Sequence, residues 1–513
     1  MFWSALAVLL LSVVVGVHPA FGQTKDVSAP ASPMNDGTLP ALKVIAGGAL
    51  VDSRAFAFLT ELSDDIGARV TSTPAAAKAI AWGVAKMRAI GLQSVNEETW
   101  QMSRGWTRIS ASADLVAPIR RRLTIDSMGW VGSTPPGGVE ADVVPMNLFD
   151  LDGELKNKSS NWAGKVLLVV QRGARPKDFS GLFARLGEFM ETAHRARAVA
   201  IIGGQGGSQS TGMHLTHTGV LAFDVVADIP VVSMAAADQS QLERFLEAGK
   251  SIRIKIDVQN RLTTGPVDSA NVVGEIRGAQ HPEQIFVVGA HLDSWDLAEG
   301  TTDNGVGVAC VLAAAEAIAH SGYKPKRTIR FVLFTGEEQG SLGSFAYVKR
   351  HGAEMANHLG ALVLDSGQGP VKGFSLGGRN DLVPAFEQFV RVLGAFGTLK
   401  VNDNVGRGSD TEAFNIAGLP GIDVSQDSPD YTWHSAADTL EAVKPDVLIH
   451  NATIMALTAF WIADRPTRFA TPWPADKTAR MLVEKRLDVY FKASGRWPFG
   501  NLGTDERSKS PDK

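Results

Sequence analysis

Histidine and carboxylate side chains that could bind a metal or move a proton lie in two short stretches, at His291-Leu292-Asp293 and at Glu337-Glu338. Each stretch closely follows an apolar run, residues 285–290 in the first case and residues 328–334 in the second. Such runs are typical of strands buried in a parallel sheet, and open α/β sheets build their sites at the carboxyl ends of those strands. The two stretches therefore predict an active site at that edge of a sheet.

Three further residues of the same chemical types stand where predicted elements break. Asp303 precedes a helical pattern at 306–320, and Asp365 follows an apolar run at 361–364. His434 lies in a loop before the last long helix. Imidazole and carboxylate ligands without thiolates suit zinc best, with manganese or cobalt as alternatives. Two histidines and three carboxylates, one of them shared, predict two ions ~3.5–4 Å apart that hold a hydroxide between them and keep open positions for substrate.

Neighbouring residues in these stretches can have different roles in the site. His291 and Asp293 project from the same face of a strand, so that one can bind a metal while the other orients the imidazole. Glu337 and Glu338 point in different directions, so that one can bind a metal while the other acts as a general base. Each residue alone has an ordinary explanation, such as a helix N-cap at Asp303, but their joint position at strand ends favours a catalytic site.

Five motifs in this region resemble those of the co-catalytic di-zinc exopeptidases, a family of secreted aminopeptidases and glutamate carboxypeptidases. They are His291-Leu292-Asp293-Ser294-Trp295-Asp296, Asp303-Asn304-Gly305, Glu337-Glu338-Gln339-Gly340, Asp365-Ser366-Gly367 and His434-Ser435-Ala436-Ala437-Asp438-Thr439. The Ser294-Trp295-Asp296 extension and the loop at 407–410 are most similar to the plasma glutamate carboxypeptidase branch of that family. The resemblance covers about residues 59–462.

The resemblance implies a role for each residue of the set. One zinc ion would be held by His291 and Asp365 and the other by Glu338 and His434, with Asp303 bridging them, Glu337 as general base and Asp293 supporting His291. Glu337 would take a proton from the bridging water and pass it to the departing amine. The plasma branch further implies hydrolysis of dipeptides or short peptides with both termini free, and a homodimer.

The residues leave the specificity open. Glutamate carboxypeptidases have a tyrosine directly before the last histidine ligand, where this chain has Trp433, which leaves Tyr431 as the candidate donor to the tetrahedral oxyanion. Ser409 and Asp410 are further candidates for substrate binding. An aminopeptidase on longer peptides, an amidase on non-peptide substrates and a binding protein without catalysis are the alternatives. The binding protein is disfavoured because the set lacks neither a ligand nor a base.

The elements that position these residues alternate between strands and helices. Strand patterns lie at 271–276, 284–289, 328–334, 361–364 and 421–424, with helical patterns between them. This alternation predicts an α/β fold in which a mixed sheet with a mostly parallel core is flanked by helices. We expect this peptidase domain to comprise residues 46–130 and 263–465. Residues 131–262 have short strands and few helices and are interpreted as an inserted β-rich domain, which the resemblance identifies as a protease-associated domain.

The N-terminus predicts export, either to a periplasm or by secretion. Residues 2–17 are almost wholly apolar and Ala20-Phe21-Gly22 offers a cleavage site, so residues 1–22 are interpreted as a signal peptide and 23–45 as a linker. The single cysteine, Cys310, cannot form an internal disulfide, which suits a bacterial periplasm at least as well as an animal secretory route.

Composition and the remaining segments bear on partners. The net charge of -4 gives no basic surface for nucleic acid. After the N-terminal run, no stretch is judged long and apolar enough to span a membrane. His214 and His217, inside the β-rich block, lack a ligand spacing and are interpreted as loop surface. Residues 466–513 form a C-terminal tail with one predicted helix at 476–490.

Overall fold

Two eight-stranded sheets, each with helices packed on it, form the part of the chain that the structure describes. The structure is a computed structural model and describes residues 37–176, 185–203, 214–220, 226–428 and 431–502. The predicted signal peptide at 1–22 lies outside these residues. The first sheet carries the candidate site, and the second sheet is inserted between two neighbouring strands of the first.

The strands are rich in the branched and aromatic side chains that fit a pleated, buried surface. In chain order they are β1 (Gln93–Met102), β2 (Trp106–Ala117), β3 (Arg121–Leu123), β4 (Ile125–Ser127), β5 (Val139–Asn147), β6 (Val166–Val170), β7 (Ala200–Ile202), β8 (Val231–Met234), β9 (Arg253–Leu262), β10 (Val267–Ile276), β11 (His281–His291), β12 (Arg327–Phe334), β13 (His358–Leu364), β14 (Val371–Ser375), β15 (Lys400–Asn402) and β16 (Gly421–Gln426). Both β12 and β13 are buried along their whole length, as expected of strands covered on both faces.

The first sheet has the strand order β1-β10-β12-β11-β13-β16-β14-β15. Its four central strands, β12, β11, β13 and β16, run parallel to one another. Strands β1 and β10 pair antiparallel on one side, and β14 pairs antiparallel with β16 on the other. The predicted mixed sheet with a mostly parallel core is confirmed. Because the central strands are parallel, the residues that follow β11, β12 and β13 lie together at one edge.

Helices cover this sheet on both faces. The α-helices of six residues or more in the described residues are α1 (Leu39–Val51), α2 (Ala55–Thr60), α3 (Pro74–Ile90), α4 (Leu186–Arg195), α5 (Ala236–Glu247), α6 (Val306–His320), α7 (Leu342–Arg350), α8 (Val383–Val392), α9 (Thr411–Ile416), α10 (Pro445–Asp464), α11 (Ala475–Glu484) and α12 (Asp488–Ala493). Alternate residues of β11 enter two different clusters. Phe286 and Val288 pack with α6 and α10, whereas Ile285 and Val287 pack with α7 and α9.

Two helical segments are long and apolar enough to cross a membrane by length and composition. They are Thr301–His320 and Pro445–Asp464, and 78% of the most apolar stretch of each is buried inside the fold. The expectation that no later stretch would reach this length was therefore wrong. Their apolar composition is explained by packing, because both helices lie in the main core against the sheet.

The inserted domain begins earlier than expected. β1 ends at Met102 and β10 begins at Val267, and these two residues pair with each other in the first sheet. The intervening strands form the second sheet, in the order β3-β2-β9-β5-β6-β7-β8-β4. The predicted boundary at 131 was wrong, because β2 pairs with β9 from Trp106 onward and so belongs to the second sheet.

Both ends of the predicted peptidase domain also extend beyond their expected limits. The predicted linker at 23–45 was too long, since α1 begins at Leu39 and buries Leu42 and Ile45 in the main core. The predicted C-terminal tail packs against the rest of the fold in its described part, residues 466–502. Its predicted helix is split into α11 and α12 at Arg486, which has a left-handed φ of 58°. The two helices form a further apolar cluster with Ile416 on α9.

Candidate metal centre

The predicted ligands are brought together at the carboxyl edge of the parallel strands. In chain order they are His291 at the end of β11, Asp303 in the turn before α6, Glu338 after β12, Asp365 after β13 and His434 in the loop before α10. Glu337, the predicted base, directly precedes Glu338. The turn after β12 depends on Gly336, which has a φ of 75° and whose added Cβ would lie 2.5 Å from the Trp100 ring. Only glycine fits there without strain.

One cluster consists of His291, Asp303 and Asp365. The Nε2 atom of His291 lies 3.1 Å from Asp303 Oδ1 and 3.1 Å from Asp365 Oδ1. The other ring nitrogen, Nδ1, lies 3.0 Å from the main-chain carbonyl oxygen of Asp293. Because a carbonyl oxygen only accepts hydrogen bonds, Nδ1 carries the hydrogen and Nε2 can offer its lone pair to a metal.

The second cluster consists of Asp303, Glu338 and His434. The Nε2 atom of His434 lies 2.9 Å from Glu338 Oε2 and 3.2 Å from Asp303 Oδ2. Asp303 thus offers one oxygen to each cluster. Within each cluster one ligand atom per residue lies within 4.8 Å of the others. Among the described residues, these are the two groups of three or more His, Cys, Asp or Glu side chains that lie this close together. Glu338 Oε1 is buried without a hydrogen-bond partner, which leaves it available to a cation.

The histidine pKa values show how strongly the carboxylates favour positive charge here. Burial lowers the pKa of His434, but Glu338 and Asp303 outweigh burial and raise it to about 10. Burial likewise lowers the pKa of His291, yet Asp365 and the other carboxylates hold it well above its usual value. A set of two imidazoles and three carboxylates that stabilises positive charge at two points fits zinc.

Glu337 lies next to the two clusters and belongs to neither. Burial raises its pKa well above the usual range, and the negative charge of Asp365 adds to this effect, which His291 partly opposes. A carboxylate with a raised pKa can hold a proton near neutral pH and then give it back. A raised pKa is compatible with the predicted role of Glu337 as the general base.

Asp293 links the end of β11 to the turn after β12. Its Oδ1 atom accepts a hydrogen bond of 3.3 Å from the main-chain N–H of Glu337. Its Oδ2 atom accepts bonds from the N–H of Glu338 at 3.3 Å and from the Thr71 hydroxyl at 2.9 Å. The side chain therefore fixes the turn after β12, while the main-chain carbonyl of the same residue orients His291.

Sequence reasoning missed the contribution of Arg69. This arginine is fully buried and donates hydrogen bonds of 2.7 Å to the main-chain oxygens of Leu292, Glu299 and Gly300. It thereby holds the loop that runs from β11 to Asp303. Burial lowers its pKa to about 10, so that it stays charged at neutral pH. Neither its type nor its spacing distinguishes it in the sequence from an arginine on the surface.

The predicted substrate-binding residues are placed less clearly than the ligands. Tyr431 is half-buried, and its main-chain oxygen accepts a hydrogen bond of 2.6 Å from Ser435. Ser409 and Asp410 are buried, and burial raises the pKa of Asp410 to about 8. The substrate-binding role of Ser409 and Asp410 stays a prediction. Trp433 is 47% exposed, and its ring stacks on His434 with centroids 3.9 Å apart.

The inserted domain reaches the site through His217. The interpretation of this residue as loop surface was wrong, because its ring is buried and its Nδ1 lies 2.7 Å from the main-chain oxygen of Trp433. His214 fits the same interpretation, with 61% of its side chain exposed. The contact was not predictable, since it depends on how the inserted domain lies against the loop that carries His434.

Comparison with known proteins identifies similar peptidases. Residues 271–459 match the model of peptidase family M28. Carboxypeptidase Q from Mus musculus is 29% identical over 416 residues, which cover 80% of this chain and 86% of that protein. The crystal structure of a peptidase M28 precursor from Shewanella amazonensis is 27% identical with a TM-score of 0.76, and covers 85% of this chain and 98% of that chain.

A solved zinc aminopeptidase from Bacillus subtilis has the same fold. Its TM-score is 0.61 at 20% identity, and the match covers 82% of this chain and 97% of that chain. At this identity the likeness concerns the fold alone. The family match and the carboxypeptidase Q relative confirm the predicted resemblance to zinc peptidases.

Proposed function

We propose that this zinc peptidase, whose residues 271–459 match the model of peptidase family M28, is an exported exopeptidase that removes a terminal residue from dipeptides and short peptides. The observation that carries the proposal is the pair of ligand clusters that share Asp303, with Glu337 beside them. Export is supported by the apolar N-terminal run at residues 2–17.

The two clusters fit two zinc ions, with manganese or cobalt as alternatives for the same donors. One ion would be held by His291 and Asp365, the other by Glu338 and His434, and Asp303 would contribute an oxygen to each. Bound there, the ions would polarise the peptide carbonyl and lower the pKa of the attacking water. The chain's own residues then perform the remaining steps.

Glu337 would move the proton that the reaction releases. The water oxygen forms a bond to the carbonyl carbon of the substrate, and the Glu337 carboxylate accepts the proton from that water. The carbon–nitrogen bond then breaks, and Glu337 gives its proton to the departing amine. Burial raises the pKa of Glu337 well above the usual range, which suits a group that must hold this proton between the two steps.

Asp293 and Arg69 would keep the reacting groups in register without touching the substrate. Asp293 accepts hydrogen bonds from the main-chain N–H groups of Glu337 and Glu338, which fixes the backbone of the base and of a ligand relative to each other. Arg69 holds the loop that leads to Asp303. Such support is required because a base displaced by about 1 Å loses much of its catalytic effect.

The resemblance to the plasma glutamate carboxypeptidase branch implies dipeptides with free termini as the substrate class, and the name of the carboxypeptidase Q relative is in line with cleavage at the carboxyl end. An aminopeptidase that acts on longer peptides, or an amidase that acts on non-peptide substrates, would use the same ligands and the same base. Exposed Trp433 forms an apolar wall beside His434, which favours substrates with an apolar side chain at that point. We also interpret the inserted domain as a protease-associated domain that limits substrate length.

The test compares the intact protein with Glu337→Ala. Zinc content is measured by atomic absorption, and hydrolysis is measured on a panel of free dipeptides, longer peptides, peptides blocked at either end and non-peptide amides. We expect two zinc ions per chain in both proteins, as a two-metal site requires. Activity of the variant should fall by a factor of about 10² to 10⁴, the usual contribution of a general base.

The panel separates the alternatives. Cleavage of amino-blocked dipeptides with loss of carboxyl-blocked ones would identify a carboxypeptidase, and the reverse would identify an aminopeptidase. Hydrolysis of the non-peptide amides alone would replace the proposal with an amidase. A protein that binds zinc and cleaves nothing in the panel would contradict it.

A further inference from the structure

The inserted domain supplies the hydrogen-bond acceptor for the last histidine ligand. His434 points Nε2 at Asp303 and Glu338, and its other ring nitrogen, Nδ1, lies 3.2 Å from the main-chain carbonyl oxygen of Thr218. A carbonyl oxygen only accepts, so Nδ1 carries a hydrogen and Nε2 is the ring nitrogen left to bind a metal. In the other cluster the equivalent acceptor comes from Asp293, inside the peptidase domain itself.

Main-chain contacts hold the same loop. The N–H of Thr218 donates to the carbonyl oxygen of His434 at 2.9 Å, and His217 forms an isolated antiparallel bridge with Ser435. The ring Nδ1–H of His217 donates to the carbonyl oxygen of Trp433. These bonds matter because His434 has a φ of 51°, a left-handed conformation that is unfavourable for a residue other than glycine. The inserted domain thus helps to keep His434 in this conformation.

Residues 217 and 218 are themselves anchored by an arginine. Arg108 on β2 donates from Nη2 to the Thr218 hydroxyl at 3.0 Å, and this hydroxyl donates to the carbonyl oxygen of Ser127. The same guanidinium forms an ion pair of 2.8 Å with Asp296, in the loop after β11. The Arg108 side chain is only 10% exposed, so the pair is less screened by water than a surface pair.

Indole rings pack beside this ion pair and connect the two domains. Trp106 and Trp130 of the inserted domain lie 6.2 and 6.1 Å from Trp295, which follows the ligand strand β11. The centroid of the Trp295 ring lies 6.0 Å from that of His434. The position of the inserted domain is therefore coupled to the ring of a metal ligand through apolar contacts as well as polar ones.

We propose that the inserted domain stabilises the metal-binding arrangement of the second ligand cluster. Thr218 selects the metal-binding form of His434, and the Arg108–Asp296 ion pair holds Thr218 in place as a positioning pair. Zinc affinity at the cluster of Asp303, Glu338 and His434 then depends on docking of the inserted domain. The inference rests on the proposed zinc site and goes beyond it, since it assigns a role in metal binding to a domain that contributes no ligand.

The test measures zinc affinity of the full chain without substrate, by titration of the metal-free protein in a chelator-buffered series. We expect Arg108→Ala to weaken one of the two zinc sites ten- to a hundred-fold, as loss of ligand support usually does. Asp296→Asn, which keeps the shape of the side chain and removes its charge, should have a similar effect. Combining the two should add little, because they break one ion pair.

The matched control is Arg122→Ala, which removes another arginine of the inserted domain whose ion pair with Asp114 is exposed. It should leave both zinc affinities unchanged. In a His434→Ala background, Arg108→Ala should not weaken the remaining site. Wild-type affinity in both Arg108→Ala and Asp296→Asn, or equal weakening of the remaining site, would overturn the proposal. Because no substrate is present, a protein that binds zinc but lacks peptidase activity would refute the proposed function alone.

Discussion

Asp438 fixes the backbone of Asp303, the residue that both ligand clusters share. The main-chain N–H of Asp303 donates to Asp438 Oδ2 at 3.3 Å, and the N–H of Thr302 donates to Oδ1 of the same carboxylate. Burial raises the pKa of Asp438 to about 6. The shared residue is thus positioned by a carboxylate that belongs to neither cluster, from a loop distant in sequence.

Asp438→Asn should weaken both zinc sites about ten- to a hundred-fold, since it disturbs a group that supports a shared ligand. An amide has one acceptor oxygen and cannot accept both N–H donors as the carboxylate does. Zinc titration of the metal-free protein measures the effect. Glu441→Gln, a change at an exposed residue of the same loop, is the control and should bind zinc as the wild type does. Loss at only one site would contradict the shared role.

Asp303→Ala should abolish tight binding of both ions, whereas Asp365→Ala should affect only the cluster that contains His291. The reason is that Asp303 gives one oxygen to each histidine cluster and Asp365 contributes to one. The ratio of zinc to protein after dialysis against a weak chelator distinguishes the two variants. An Asp303→Ala protein that keeps one ion at wild-type affinity would show that the two clusters do not share this ligand.

Acid should destabilise the fold through His358, far from the metal ligands. Its Nδ1–H donates to the carbonyl oxygen of Glu354 and its Nε2 accepts from the Tyr347 hydroxyl, so the ring is neutral. Burial lowers the pKa of His358 to about 4, whereas the unfolded chain has about 6.5. Between these values the unfolded state binds a proton that the native state does not. Stability is therefore lost as pH falls from about 6.5 to 4, by roughly 3 kcal/mol at most.

His358→Gln should remove this component of the pH dependence, although it also lowers stability at neutral pH. The measurement is the midpoint of thermal unfolding between pH 7.5 and pH 4.5, with a chelator present so that zinc release does not contribute. His320→Gln, at an exposed histidine, is the control and should keep the slope of the wild type. An unchanged slope in His358→Gln would mean that other groups are responsible for acid sensitivity.

Gly129→Ala should disturb the contact between the two domains. An added Cβ would lie 2.3 Å from the Trp295 ring, so the indole must move. Overpacking of this kind costs about 1–3 kcal/mol, and the shift should also change tryptophan fluorescence. Gly265→Ala is the control, because a Cβ there meets nothing within 4 Å. A Gly129→Ala protein with wild-type stability and fluorescence would contradict close packing of Trp295 against the inserted domain.

The central strands and the metal ligands could be predicted because one physical condition produces both signals. β11, β12 and β13 are covered on both faces, which requires unbroken apolar runs, and their shared direction places the residues after them at one edge. His291, the Glu337-Glu338 pair and Asp365 are then visible as the first polar residues with suitable chemistry after each run. Neither signal depends on distant parts of the chain.

The residues that sequence reasoning missed act through distant partners. Arg69 is required because of main-chain oxygens in a loop more than two hundred positions later. His217 is buried only because a loop of the other domain covers it. The boundary of the inserted domain failed for the same reason, since β2 has the alternation of any half-buried strand and only its pairing with β9 assigns it to the second sheet.

The insertion between β1 and β10 has a consequence for the order of folding. These strands pair at Met102 and Val267, which would require closure of a very long loop if the inserted segment were still unfolded. Within the insert, however, Trp106 pairs with Leu262. Once the inserted domain has folded, its two ends are neighbours, and β1 meets β10 across a short connection. We therefore expect the inserted domain to fold first and to bring β1 and β10 together, so that the first sheet can then form.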